Sequence, residues 1–81
     1  MEILNITRSH IQMQIGDRTV TVHGEAYLPG YGSPDFVVYS DSIRKWDAPN
    51  DHVAIDEMTK REILELLKSQ MQKRKMTIEI E

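Results

Sequence analysis

There is no cysteine among the 81 residues, which excludes a disulfide framework, a thiolate zinc site and a cysteine nucleophile. Long apolar runs are missing too. The longest, Phe36-Val37-Val38-Tyr39, is far short of the roughly 20 residues that span a bilayer. No basic stretch followed by an apolar one opens the chain. Met1-Glu2 leads directly into a strand-like pattern, so the cytoplasm is the expected location. Length is the last scarcity. Residues 1–81 make one domain. A domain of this size buries only roughly 60% of its unfolded surface, so its core is marginal and little chain is left for elaborate active-site loops.

The formal net charge of −3 hides a division. Residues 1–24 balance. Residues 25–57 carry seven acids (Glu25, Asp35, Asp41, Asp47, Asp51, Asp56, Glu57) against Arg44 and Lys45, giving −5. Residues 58–75 carry Lys60, Arg61, Lys68, Lys73, Arg74 and Lys75 against Glu62 and Glu65, giving +4. Glu79 and Glu81 add −2. An acidic middle beside a basic helical segment speaks to partners rather than to fold.

Strand patterns fill the first half. Glu2 to Thr7 reads as a strand, with Ile3, Leu4 and Ile6 as strand formers. His10 to Ile15 alternates, with Ile11, Met13 and Ile15 on one face. Gly16-Asp17 suits a two-residue hairpin, because glycine reaches positive φ freely. Arg18 to Tyr27 alternates again, and Gly24 within it predicts a bulge. Pro29, Gly30, Gly32 and Pro34 mark a loop before a short buried strand at Phe36 to Ser40. The stretch from Asp41 to Asp51 is ambiguous and ends in a turn.

One helix is plain. Ile63, Leu64, Leu66, Leu67 and Met71 fall within one arc of a helical wheel, with Arg61, Glu62, Glu65, Lys68, Ser69 and Gln72 opposite. A start at Thr59 gives a capping box with Glu62 and staples Met58 on Ile63; a start at Asp56 is the alternative. Met76 to Ile80 alternates as a last strand. The expected fold is α+β. It is an antiparallel sheet of about five strands, ordered β-β-β-β-α-β, with the amphipathic helix packed on one face. The other face (His10, Gln12, Gln14, Thr19, Thr21, His23) is polar and open to solvent or a partner.

Catalytic and metal-binding patterns are weak. Glu25, Asp35, Asp41 and Asp47 could supply paired carboxylates, but so small a sheet has little room to desolvate one. His23 and Glu25 share a strand face, with His10 on the neighbouring strand, yet no third ligand has metal-site spacing. Pro29-Gly30-Tyr31-Gly32 lacks the context of a phosphate loop, and no serine sits in a nucleophile elbow. No catalytic residue, metal or cofactor is expected. Lys73-Arg74-Lys75 has no interleaved aromatic for base stacking. The acidic middle is richer, since it sets Asp35, Asp41, Asp47 and Asp51 beside Tyr27, Tyr31, Tyr39 and Trp46. Aromatic anchors beside acids are a recipe for binding a basic protein surface.

Several blocks together resemble a known family. They are Gly24-Glu25, Phe36-Val37-Val38-Tyr39, Ser40-Asp41-Ser42-Ile43 and Trp46-Asp47-Ala48-Pro49, followed by the helix and Thr77-Ile78-Glu79-Ile80. The resemblance is to immunity protein 74 of bacterial polymorphic toxin systems, over roughly Ile3 to Ile80. The family pattern reads Trp-Asp-Pro-Pro, whereas Ala48 stands third here and leaves one X-Pro bond, at Pro49. The resemblance implies a non-enzymatic protein that binds and neutralises a toxin encoded beside it. Its signature residues Gly24, Glu25, Trp46 and Pro49 read as structural: Gly24 for the bulge, Trp46 for the core, with Asp47 capping a turn. The expected toxin-binding residues are Tyr31, Asp35, Asp47 and Asp51. The alternatives are a small nucleic-acid-binding or regulatory module using the basic helix end, and a homodimer or larger homo-oligomer formed through an exposed sheet edge.

Overall fold

Alternating apolar and polar residues fold the first half of the chain as a meander, because each strand has one face to bury. The computed structural model describes residues 2–28 and 32–81. Strands β1 (Glu2–Ile6), β2 (His10–Ile15), β3 (Arg18–Ala26) and β4 (Phe36–Val38) come first. A 3-10 turn at Ser40–Ser42, helix α1 (Glu57–Lys73) and β5 (Ile78–Ile80) follow. The five strands lie side by side in chain order. This is the α+β arrangement expected from the sequence, with one difference of direction. Strand β5 runs parallel to β4, with Phe36 opposite Ile78 and Val38 opposite Ile80. The cause is the connection: the chain passes through α1 between these strands, and a helical crossover brings the next strand back in the same direction.

One side of the sheet is the core. Ile11 and Met13 of β2, Val20 and Val22 of β3, and Phe36 and Val38 of β4 cluster with Ile63, Leu67 and Met71 of α1. The three helix residues are four apart, a single stripe along the helix. Among the described residues no helix is long and apolar enough to cross a membrane.

The helix begins at the earlier of the two expected starts. Asp56 is the N-cap, and its carboxylate accepts the Thr59 backbone N–H at 2.8 Å. Met58 is 74% exposed, so it makes no staple on Ile63. At the other end Met76 N–H reaches the Met71 carbonyl and Lys75 N–H the Gln72 carbonyl, both at 2.9 Å. Lys75 takes φ 58 between them. These are the two bonds of a Schellman motif, and they turn the chain sharply into β5.

Gly24 makes no bulge. It pairs regularly with Val38, and the register shift lies in β1 instead, between Ile3 and Asn5. The glycine is required for space. A Cβ there would run into the Val37 carbonyl and the Phe36 ring. The Phe36 ring is fully buried and occupies the room that a side chain at 24 would need.

Two outcomes follow. Gly24→Ala lowers stability by about 1–3 kcal/mol, the usual cost of overpacking, measured by urea unfolding. Asp56→Ala lowers Tm at neutral pH. The Thr59 backbone N–H first, and its side chain second, hold the Asp56 carboxyl below its ordinary value of 3.8. A depressed folded-state pKa contributes stability above 3.8 that is lost as pH falls through the folded value. The Tm gap between wild type and Asp56→Ala therefore closes on acidification below 3.8, followed by circular dichroism against pH.

Candidate functional site

Strand β4 has three residues and pairs only with Gly24–Ala26 of the much longer β3. The rest of that β3 edge needs another partner for its outward N–H and C=O groups. The segment from Tyr39 to Ile55 supplies it. Tyr39 N–H donates to the His23 carbonyl at 2.9 Å, and Asp47 N–H donates to the Thr19 carbonyl at 2.8 Å. His23 N–H donates to Ser42 Oγ at 3.1 Å. The segment is itself tied by a bridge between Lys45 and Ala54 and by Ile55 N–H to the Arg44 carbonyl at 2.8 Å. The Ala48-Pro49 peptide bond within it is cis.

Trp46 and Asp47 straddle the β3 edge as successive residues of a strand would. Trp46 is 7% exposed and joins the core, with the Arg18 guanidinium 5.7 Å from its ring centroid. Asp47 falls on the open face. Its Oδ2 accepts from Thr21 Oγ1 at 2.9 Å and from Gln12 Nε2 at 3.4 Å. The turn expected at Asp47 is closed by its backbone carbonyl, which accepts Asn50 N–H at 2.9 Å. The side chain has the longer reach and ties the loop to two strands.

Around this tie lies a concavity of about 310 Å³ lined by Thr21, His23, Ser42, Lys45, Asp47 and Asp51, with Trp46 and Ala48 at its wall. His10 and His23 face each other across β2 and β3, with ring centroids 6.3 Å apart at 62°. Ser42 Oγ donates to the Tyr39 carbonyl at 2.6 Å, so its proton is committed to a backbone acceptor rather than to a general base. Among the described residues no group of three or more His, Cys, Asp or Glu could hold a metal ion.

Of the four residues expected to touch a toxin, the three that are described fall in two places. Asp47 and Asp51 line the same concavity. Asp35 lies at the start of the β4–β5 pair, where Oδ2 accepts Thr77 N–H at 2.8 Å and its own N–H donates to Thr77 Oγ1 at 3.1 Å. Tyr31 lies outside the described residues. Glu25, on the open face, accepts a hydrogen bond from the Tyr39 hydroxyl at 3.2 Å. That bond, reinforced by burial and by the charges of Glu25, Tyr27 and Glu81, raises the Tyr39 phenol above its ordinary 10.0. The associated stability is present below 10.0 and lost as pH rises through the raised value. Sequence reasoning did not bring Thr21, Gln12 and Ser42 to the site. Strand alternation places Thr21 and Gln12 on the open face, and only the loop's path adds Ser42.

If Asp47 is the tie, Asp47→Ala lowers stability by about 1–2 kcal/mol, the scale of a partly solvated charged hydrogen bond. Asp47→Asn, which keeps an acceptor, recovers part of the loss. Urea unfolding of both variants measures it, and equal stability of Asp47→Ala and wild type contradicts the assignment.

The comparisons agree with the resemblance in the sequence. No curated protein and no solved structure matches the chain. The family model described as immunity protein 74 matches residues 3–81, essentially the whole length. The chain therefore belongs to the immunity protein 74 family.

Proposed function

We propose that this protein neutralises a cognate bacterial toxin in the cytoplasm by binding it, without catalysis, through its acidic and aromatic side. Asp47 and Asp51 in the concavity are the centre of the contact, with Asp35 at the start of the β4–β5 pair as a further contact and Tyr31, outside the described residues, kept as an expected one. Family membership supplies the class of function. The observation that carries the choice of surface is the separation of charge in three dimensions. Glu25, Asp47 and Asp51 lie on the side of the sheet that α1 leaves uncovered. Lys60, Arg61, Lys68 and Lys73 belong to α1 together with Glu57, Glu62 and Glu65, so the helix is only weakly basic, and its apolar stripe faces the sheet. Among the described residues Lys45 is the one cation lining the concavity, and the excess of acids around it steers a basic partner to this face.

Asp51 is the informative residue, because it is exposed and bears no hydrogen bond among those of the described residues. The product of the neighbouring toxin gene copurifies with the chain, and coexpression protects cells from it. Asp51→Asn slows association several-fold, and the effect fades as salt is raised. Absence of binding and of protection refutes the reading.

A further inference from the structure

The open face carries a second feature, away from the Asp47 concavity. Pairing register sets Glu25, Val37 and Glu79 side by side across β3, β4 and β5. Val37 is 1% exposed yet stands outside the cluster built with the helix, since its neighbours Phe36 and Val38 point to the core. Tyr39 continues the strand in extended backbone, φ −89 and ψ 103, which puts it on the same face as Val37. It is 37% exposed, Tyr27 is 41% exposed, and the Tyr39 hydroxyl is held by Glu25. The chain's last residue is close, because Ser40 N–H and Oγ both donate to the Glu81 carbonyl at 2.7 Å.

We propose that this face of β3, β4 and β5, centred on Tyr39, docks a lysine- or arginine-bearing segment of the toxin, an inference that rests on the toxin-binding reading above. Charge complementarity selects the occupant. Glu25 and Glu79 flank Val37 from either side, about 9–10 Å apart by strand spacing. Among the described residues the single ion pair is Lys60 with Glu57, on the helix. These carboxylates therefore stand in no ion pair, and both are exposed to an ammonium or guanidinium from outside. The exposed tyrosine rings offer that cation a π face, and the phenol a hydrogen-bonding edge.

Two measurements on the full chain test the proposal. In the first, an oligolysine peptide is titrated into the ¹⁵N-labelled protein. Amide shifts concentrated at residues 25, 37, 39 and 79, and abolished in Glu25→Gln/Glu79→Gln, are expected. Shifts confined to the Asp47–Asp51 concavity, or spread over every acid, overturn it. In the second, the neighbouring toxin is bound to wild type, to the double variant and to Tyr39→Phe. The double variant loses about tenfold in affinity with an unchanged Tm, and Tyr39→Phe, which keeps the ring, loses less. Toxin binding that ignores the double variant overturns the docking face while leaving the inhibitor reading intact. A wild type that binds no toxin refutes the inhibitor reading, and the docking proposal falls with it even where the peptide shifts are as expected. Self-association of the wild type, abolished by the double variant, assigns the face to a second copy and overturns the proposal.

Discussion

The short length of β4 is the constraint on which the rest of this structure depends. Three residues cannot cover a nine-residue neighbour, and an uncovered central edge would leave backbone groups without partners. The chain resolves this by laying the Tyr39–Ile55 segment along β3. Trp46 then enters the core beneath the sheet and Asp47 grips Thr21 and Gln12 above it. Two adjacent residues thus fasten one loop to both sides of the sheet. The same fastening shapes the concavity, because its floor is the sheet and its wall is the fastened loop.

Much of this was legible in the sequence where a period could be read. The hairpin of β2 and β3 follows from strict alternation around Gly16-Asp17, and α1 from the spacing of Ile63, Leu67 and Met71. Details that depend on distant partners were not legible. Nothing local says that Gly24 faces the Phe36 ring, so a strand glycine reads as a bulge when its true reason is steric. Thr59 and Asp56 are both good caps by type, and the choice lies in which carboxylate or hydroxyl reaches a free N–H. The parallel β4–β5 pair is hidden for a similar reason, since β5 is three residues long and its direction is set by the crossover.

The candidate site was legible in composition and not in geometry. The excess of acids between residues 25 and 57 overlaps the segment that lines the concavity, but it treats Asp35, Asp47 and Asp51 alike. In the fold Asp47 and Asp35 are each engaged in tying elements together, and Asp51 is left outward. Glu25, read as a signature residue of the fold, accepts a hydrogen bond from an exposed tyrosine. The helix covers one face of the sheet, and the proposed contact uses the other face and the loop beside it. That division gives a small chain one face packed under α1 and one face left open.

Trp46 is the only tryptophan and sits at the fastening itself, so its fluorescence reports directly on whether the loop is part of the folded unit. Urea unfolding followed by Trp46 fluorescence and by far-ultraviolet circular dichroism should give superimposable curves with one midpoint. A fluorescence transition that precedes the loss of secondary structure would show the loop detaching from an intact sheet, and would contradict the claim that this segment completes it.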